Sequence, residues 1–368
     1  MTLFHPIDLQ SRLNPDNLAL AFESVAETLS FGELRRLVRG GAGVLESSGV
    51  TSNRRIGVHC QNPFLQIVCA LAASHVGANA VVISPLGDFP SGSVDVVVSD
   101  ASVTAPGAQV LRIEAPALFK APGPRARADG QTNPLWVFLT AARAANGADA
   151  LAVKERGLKT RIMMRAMAKG GAFAGQLLCA ADIRSEIGFS AILESLWFGN
   201  AVVLSRGTLD EDARSIALYD VGSIFLAAGA LPDYLRGFQP KRAHGVHPKR
   251  MIVAGTDVEE TLLVGVKQHL CAHVAVHLDM AEVGGFAASA PWQIDTPRIY
   301  WPFSGATLAV VGGDGRQVAP EVSGTIVIRS EGANAPAAGD PAANRFRDGW
   351  FISPLNGSLH ANGGLVLR

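Results

Sequence analysis

RIGVHCQNPFLQIVCALAASHVGANAVVIS, residues 55–84, places two short apolar runs on either side of a longer apolar stretch. The first run predicts a buried strand, the stretch from Phe64 predicts a helix that ends near Gly77, and AVVIS predicts a second buried strand. The stretch is apolar enough to resemble a membrane span, but His75, Gly77 and Asn79 argue against that interpretation. Since strand, helix and strand in succession form the unit of a parallel sheet, we expect such a sheet here.

The residues on either side extend the same alternation. LSFGELRRLVRGGAGVLESSG (29–49) predicts an amphipathic helix with Ser30 as its N-cap, and VDVVVSD (94–100) predicts another short strand. Residues 101–134 are rich in Ala, Pro and Gly, which indicates a surface connection between two lobes. From PLWVFL onward, strand and helix patterns alternate again.

After about residue 290 the pattern becomes β-rich. ATLAVVGGDGRQVAP predicts a hairpin with Gly-Asp-Gly at its turn, and SGTIVIRS predicts a returning strand. The predicted fold class is therefore α/β, with two mostly parallel sheets and covering helices (layered αβαβα) plus a small C-terminal β-rich subdomain. The expected boundaries are a first α/β lobe at 1–130, a second at 131–290 and the β-rich subdomain at 291–368.

The overall composition predicts no strongly charged surface. Of 368 residues, 48% are hydrophobic, which is enough for a large core, and 32 basic residues balance 32 acidic ones. This balance gives no reason to expect a nucleic-acid partner. The four cysteines include no CxxC pair, and the N-terminus lacks the apolar block of a signal peptide. We therefore expect a cytoplasmic protein with neither a disulfide framework nor a membrane segment.

LKTRIMMRAMAK (158–169) predicts a helix with one apolar stripe toward the core. The stripe comprises Leu158, Ile162 and Ala166, with Met163 and Met167 beside it. The basic residues expected on the solvent face are Lys159, Arg161, Arg165 and Lys169.

Six segments, taken in order, carry a family resemblance. They are PDNLALAFESVAETLSFGELRRLVRGGAGVLESSGV (15–50), RIGVHCQNPFLQIVCALAASHVGANAVVISP (55–85), VAGTDV (253–258), LDMAEVGG (278–285), GATLAVVGGDGRQVAPEVSGTIVIRSEG (305–332) and FRDGWFISPLNG (346–357). Together they resemble the large N-terminal domain of the adenylate-forming superfamily, which includes acyl- and aryl-CoA synthetases, luciferases and peptide-synthetase adenylation domains. The resemblance implies a reaction in which a substrate carboxylate attacks the α-phosphate of ATP, giving an acyl-adenylate and pyrophosphate.

The phosphate-gripping loop of that family, TSGTTGxPKG, corresponds to VFLTAARAANGADA (137–150) from Thr140 onward. Thr140 keeps the first hydroxyl, but alanines replace the following residues, and the lysine position falls on Ala148 or Asp149. Alanine donates no side-chain hydrogen bond and resists the positive φ that glycine tolerates. Arg143 could contact an anion in place of the lysine, although an exposed arginine on an Ala-rich turn is the simpler interpretation.

Two further nucleotide motifs keep only part of their chemistry. Gly255 and Thr256 correspond to the turn that flanks the adenine in the family. In the YGxTE motif, Leu278 replaces the stacking tyrosine, Ala281 replaces the threonine, and Glu282 keeps the carboxylate that helps to hold Mg²⁺. Leu278 could cover a base without aromatic stacking. Glu282 is either a residual magnesium ligand or a retained structural acid.

The ribose and acyl positions are also altered. Leu355 replaces the aspartate that, in the family, accepts hydrogen bonds from both ribose hydroxyls. RSEIGF places Ser185 at the histidine of the acyl pocket and Gly188 at its glycine, so these two are the acyl-pocket candidates. HANGGLVLR corresponds to the point just before the mobile C-terminal lid domain of the family, and we expect that domain to be absent.

These losses leave enzymatic activity open. We expect an acyl-CoA synthetase-like pseudoenzyme without autonomous ATP-dependent adenylation, which binds an acyl-type small molecule, an acyl-carrier protein or a synthetase partner. Mg-ATP is implied as a cofactor only by the alternative below. A homodimer is compatible with the sequence. The alternative is a divergent adenylate-forming ligase that uses Mg-ATP, with phosphate at Thr140 and Arg143, Mg²⁺ at Glu282 and a lid domain supplied in trans. A third activity, acyl transfer or hydrolysis, lacks a nucleophile–base pair in the sequence.

Overall fold

The computed structural model describes residues 2–22, 27–124, 133–139, 150–167, 173–238, 247–256, 258–283, 287–333 and 345–368. The helices and strands are α1 (His5–Leu13), β1 (Leu18–Phe22), β2 (Glu27–Ser30), α2 (Phe31–Ser47), β3 (Arg55–Val58), α3 (Pro63–His75), β4 (Ala80–Ile83), β5 (Val96–Ser99), β6 (Gln109–Arg112), α4 (Ala115–Lys120), β7 (Leu135–Leu139), β8 (Ala150–Lys154), α5 (Glu155–Met167), β9 (Gln176–Cys179), α6 (Glu186–Trp197), β10 (Val202–Leu204), α7 (Leu209–Leu218), β11 (Val221–Ala227), α8 (Leu231–Tyr234), β12 (Arg250–Ala254), α9 (Glu260–His269), β13 (His273–Leu278), β14 (Ala288–Trp292), β15 (Trp301–Pro302), β16 (Ala306–Val311), β17 (Gly324–Ser330), β18 (Phe346–Arg347), β19 (Trp350–Leu359) and β20 (Leu365–Leu367).

The chain folds as two compact units. The first comprises Met1–Lys159 with Asp182–Leu204, and the second comprises Thr160–Ala181 with Ser205–Arg368. The boundary falls within α5, and the segment that holds α6 and β10 belongs to the first unit.

The first unit contains a sheet with the strand order β6-β5-β3-β4-β7-β8. Every neighbouring pair in it is parallel except β7 and β8, which are antiparallel. In the same unit, β1 pairs in parallel with β10 and antiparallel with β2. The all-buried strands β4 and β5 consist mainly of Val and Ile, as expected where helices or loops cover both faces of a parallel sheet.

Helices α2 and α3 begin as the sequence predicts. Ser30 and Glu33 form a reciprocal capping box, in which the Ser30 hydroxyl accepts the Glu33 N–H at 3.2 Å and the Glu33 carboxylate accepts the Ser30 N–H at 2.9 Å. The Asn62 side chain caps α3 by accepting two backbone N–H groups of its first turn. Gly77, with φ +74°, turns the chain from α3 toward β4. The predicted succession of strand, helix and strand is confirmed.

One prediction about the first unit needs correction, and one of its strands was missed. Residues 101–134 are more than a surface connection, because they contain α4 and β6, and β6 extends the sheet by pairing in parallel with β5. Strand β8 was not predicted, and it pairs antiparallel with β7 so that Leu139 lies opposite Ala150. A short and largely exposed strand such as β6 gives a weak apolar signal in the sequence.

The second unit combines a mixed sheet with an antiparallel one. Strands β9, β11, β12 and β13 are parallel neighbours, and β14 and β15 continue antiparallel at one side. The antiparallel sheet has the order β16-β17-β19-β18, with β20 on β19. At the turn after β16, Gly315 donates its N–H to Gly312 O, which confirms the predicted glycine turn. The predicted α/β class with a C-terminal β-rich part is confirmed.

In the described part of the chain, every helix is too short or too polar to cross a lipid bilayer. The apolar stretch of residues 64–84 is divided between α3 and β4, as predicted.

Candidate functional site

Thr140 and Arg143 lie outside the described residues. The strands that flank their segment, β7 and β8, are antiparallel neighbours in the first unit.

In the second unit, four of the family-aligned nucleotide positions lie at one edge of the sheet. The register places Ala227, Ala254 and His277 side by side near the carboxyl ends of β11, β12 and β13. Gly255 and Thr256 directly follow β12, Leu278 ends β13, and Glu282 lies four residues beyond it. Since ligands of open α/β sheets bind outside the carboxyl ends of the parallel strands, this edge is the candidate nucleotide site.

The backbone at Gly255 is tightly constrained. Its N–H donates to His277 O at 2.9 Å, and its φ is +153°. A Cβ at this position would lie 2.5 Å from the Cβ of Ala228, in the turn that follows β11. The position therefore requires glycine, while Thr256 beside it is half-buried and keeps its hydroxyl.

Leu278 is a core residue. Its side chain has no exposed surface, its carbonyl accepts the Ala287 N–H at 2.9 Å, and it lies opposite Ala288 in the β13–β14 pair. A base needs an exposed flat surface on which to lie. In this conformation Leu278 offers no such surface.

Glu282 lies in a 3₁₀ turn, Ala281–Val283, which is held by the Val283 N–H donating to Met280 O at 3.1 Å. The side chain is half-buried, and the turn packs against β17. Among the described residues, no group of three or more His, Cys, Asp and Glu side chains is placed to hold a metal ion. A single carboxylate fits Mg²⁺ only when phosphate oxygens and water complete the octahedron.

Leu355 lies in the antiparallel sheet, on a bulge of β19. Thr325 pairs with Asn356 and Val327 pairs with Ile352, so Ser353–Leu355 stand opposite a single residue of β17. The bulge is closed by the Leu355 N–H, which donates to the Ser353 hydroxyl at 3.1 Å. The half-buried Leu355 side chain has no atom that can accept a hydrogen bond.

The sequence analysis missed His277, which precedes the aligned Leu278. It is 5% exposed, and its ring packs edge-on against Phe303. Burial, followed by the nearby charges of Arg165 and Arg250, lowers the pKa of His277 to about 3. The imidazole is therefore neutral at physiological pH.

Helix α5 overturns one expectation about its basic residues. Arg161 and Arg165 are 1% and 3% exposed, whereas Met163 and Met167 are 43% and 67% exposed. The Arg161 Nε donates to Gly332 O at 3.0 Å, so the guanidinium is buried with a hydrogen-bond partner. The prediction that both arginines lie on the solvent face is wrong, although the predicted burial of Leu158 and Ile162 is confirmed.

In the first unit, the acyl-pocket candidates begin helix α6. Ser185 is the N-cap, and its hydroxyl accepts the Gly188 N–H at 3.1 Å while donating to Asp182 O at 2.6 Å. A Cβ on Gly188 would lie 2.2 Å from the same Asp182 oxygen. Both residues therefore have a local structural role in forming this helix start.

Part of this chain is similar in sequence to known proteins. Residues 7–118 match the family model of AMP-binding enzymes. The hybrid PKS-NRPS synthetase LUC5 of Fusarium sp is 33% identical over 84 residues, which are 23% of this chain and 2% of the length of that synthetase.

Several solved structures share the fold over the whole chain. The N-terminal domain of FACL13 from Mycobacterium tuberculosis has a TM-score of 0.81 at 16% identity and is covered completely, as is this chain. The N-terminal subdomain of NpsA from Klebsiella oxytoca, in complex with 3-hydroxybenzoyl-AMSN, has a TM-score of 0.81 at 17% identity, covering 100% of this chain and 97% of that one. The unliganded O-succinylbenzoate coenzyme A synthetase MenE from Bacillus subtilis has a TM-score of 0.79 at 17% identity, covering 99% and 78%. These structures confirm the fold that the resemblance implies.

Proposed function

We propose that this chain, which is an AMP-binding, adenylate-forming-ligase-like domain, does not form acyl-adenylates by itself and acts by binding an acyl-type ligand or a partner protein. The observation that carries the proposal is Leu355, which has no acceptor at the position aligned with the ribose-binding aspartate. A buried hydroxyl without a partner costs roughly 1–3 kcal/mol, and a ribose has two of them. The expected nucleotide affinity is lower by orders of magnitude.

Two features of the carboxyl edge in the second unit support the proposal independently. The Leu278 side chain is buried in the core, so no aromatic or apolar surface is available to the purine at this position. Glu282 is the one aligned acid that remains, and a single carboxylate holds Mg²⁺ poorly unless phosphate oxygens and water complete its coordination. The replacements at Leu278 and Leu355 therefore remove contacts to two different parts of the nucleotide, the base and the ribose.

Thermal unfolding with and without Mg-ATP tests the proposal. At millimolar Mg-ATP, a site with a micromolar Kd stabilises the folded state by about 4 kcal/mol, whereas we expect no resolved shift. Pyrophosphate release with a panel of carboxylic acids is measured on the same preparation. ATP-dependent stabilisation together with pyrophosphate release would overturn the proposal in favour of a divergent ligase.

The partner is the second part of the proposal, and we expect an acyl-carrier protein or an active synthetase. Size-exclusion chromatography with purified carrier protein, in its apo and acylated forms, measures this directly. Co-elution of either form supports the partner role. If neither form co-elutes and no acyl ligand binds in calorimetry, the proposed function is wrong.

A further inference from the structure

The antiparallel sheet of the second unit carries a row of four side chains across its strands β16, β17, β19 and β18. Thr307 pairs with Arg329 between β16 and β17, and Arg347 pairs with Trp350 between β18 and β19. Arg329 and Trp350 are in contact, with the guanidinium carbon 4.8 Å from the centre of the ring. Paired residues of neighbouring strands have their side chains on the same face of a sheet. These four residues therefore form one row, called the basic row below.

The basic row faces solvent. Ile328 and Phe351, which pair with each other one position along from Arg329 and Trp350, have no exposed surface. Since successive side chains of a strand point to opposite faces, the buried face of the sheet is the one opposite the row. Within the row, Arg329 and Arg347 are exposed and Trp350 is half-buried.

The turn between β18 and β19 fixes one end of the basic row. It consists of Asp348 and Gly349, whose φ values are +50° and +78°. Two positive φ values are typical of the two-residue hairpin turn, which holds the flanking residues opposite each other. Those flanking residues are Arg347 and Trp350, so the backbone sets the position of this arginine beside the ring.

The contact of Arg329 with Trp350 orders the arginine without neutralising it. The face of the ring attracts the cation, and the N–H donors at the edge of the guanidinium stay available. In the described part of the chain, neither Arg329 nor Arg347 forms an ion pair with a carboxylate. The acids nearest in sequence are Glu331, which follows the end of β17, and Asp348 in the turn. The row therefore presents two unpaired positive charges on either side of an aromatic ring.

The spacing of the two arginines indicates which partner fits. Arg329 and Arg347 lie on the strands on either side of β19, so two inter-strand spacings separate them, about 10 Å in all. In an α-helix, positions i and i+7 lie on one face about 10.5 Å apart. In an extended segment, side chains of one face recur about every 7 Å, which gives about 7 or 14 Å. A helix therefore matches the spacing of the row, and an extended segment does not.

We propose that the basic row docks an acidic helix of a partner protein. Carboxylates at positions i and i+7 of that helix would pair with Arg347 and Arg329, and an apolar side chain at i+3 or i+4 would lie against Trp350. The proposal rests on the partner role proposed above and names its surface. If a carrier protein co-elutes equally with the wild type and with variants of the row, the partner role stands and the docking surface is wrong.

Fluorescence anisotropy with two labelled peptides at low ionic strength tests the surface. Both are lactam-bridged helices of about 20 residues with the same composition, because shorter unbridged helices are marginal in water. One peptide carries Glu at i and i+7 and Leu at i+4 on one face, and the other has these residues scattered around the helix. We expect saturable binding of the patterned peptide to the wild type, at least about fivefold tighter than binding of the scattered one.

Variants of the row locate the binding site. Arg329→Gln and Arg347→Gln should each weaken binding of the patterned peptide about three- to fivefold, as expected for exposed charge pairs. The matched control is Arg316→Gln, which removes an exposed arginine from the turn after β16 in the same sheet and should bind as the wild type does. Equal losses in Arg316→Gln and in the row variants would overturn the proposal.

Two further measurements use the wild type alone and do not depend on how the variants fold. Equal affinity for the patterned and the scattered peptide would overturn the proposal, since the spacing would then play no part. The other measurement compares phosphatidylserine vesicles and single-stranded oligothymidylate with the patterned peptide. Tighter binding of either would show that a membrane or a nucleic acid, rather than an acidic helix, is the partner of this surface.

Discussion

The imidazole of His277 packs edge-on against the ring of Phe303, with the centroids 5.2 Å apart and the planes at 77°. Burial and two nearby arginines lower the pKa of His277 from its usual 6.5 to about 3. A histidine whose pKa is lowered by folding stabilises the protein above pH 6.5, and this contribution is lost as the pH falls from 6.5 toward 3.

The first prediction follows from the direction of this pKa shift. Between about pH 7.5 and about pH 5, we expect the free energy of unfolding of the wild type to fall by about 2 kcal/mol more than that of His277→Gln. Urea unfolding at both pH values measures the difference. His273→Gln removes an exposed histidine from the same strand and should behave as the wild type. Equal pH dependence in the wild type and His277→Gln would contradict the prediction.

Asp212 produces the opposite pH dependence. Its carboxylate is fully buried and accepts hydrogen bonds from the Ser205 hydroxyl and the Arg206 N–H, but burial dominates and raises its pKa from 3.8 to about 6. An acid whose pKa is raised by folding contributes stability that is present below pH 3.8 and is lost as the pH rises through 6.

The second prediction concerns Asp212→Asn, which keeps an acceptor for the Arg206 N–H without a carboxyl group that titrates. From about pH 4.5 to about pH 7, the wild type should lose about 2 kcal/mol of unfolding free energy relative to this variant. Asp210→Asn, in the exposed first turn of α7, is the control and should follow the wild type. Parallel curves for the wild type and Asp212→Asn would refute the prediction.

Because Asp212 and His277 act in opposite directions between about pH 4 and about pH 6, the single variants are needed to separate their contributions to the pH dependence of stability.

The strand–helix–strand unit of residues 55–84 could be predicted because its signals are local. Its apolar periods, the cap at Asn62 and the turn at Gly77 lie in sequence where the structure uses them. The position of Leu278 at the carboxyl edge follows from the family alignment combined with the parallel order of β11, β12 and β13. The sequence analysis did not identify β14, which pairs antiparallel with β13 and places Ala288 opposite Leu278.

The burial of Arg161 and Arg165 could not be predicted from periodicity. A helical pattern assigns apolar residues to the core and charged ones to water. It contains no information about hydrogen-bond acceptors that lie far away in the sequence, such as the Gly332 carbonyl that accepts from Arg161. Hydrogen bonds between residues that are far apart in the chain cannot be predicted from a short stretch of sequence.

The third prediction compares two glycines in helices. Gly188→Ala should destabilise the fold by about 1–3 kcal/mol, because the added Cβ would lie 2.2 Å from Asp182 O at the start of α6. Gly265→Ala in α9 meets no atom within 4 Å and should stabilise it by about 0.5–1 kcal/mol through helix propensity. Chemical denaturation of both variants gives the two values. If both variants were stabilised, or both destabilised, the close approach of Asp182 O would not explain why residue 188 is glycine.

The fourth prediction restores one nucleotide contact. Leu355→Asp places a carboxylate where the family accepts both ribose hydroxyls, so we expect it to bind adenosine about tenfold more tightly than the wild type. Adenosine is the right probe because it carries no phosphate that the new charge would repel. Asn356→Asp adds the same charge at the exposed neighbouring residue and should leave adenosine affinity unchanged.

Calorimetry with 2′-deoxyadenosine separates ribose recognition from a general effect of the added charge, since the gain in affinity should shrink when one hydroxyl is removed. If Leu355→Asp gains no more affinity than Asn356→Asp, the lost aspartate does not explain weak nucleotide binding, and the proposal that rests on Leu355 fails with it.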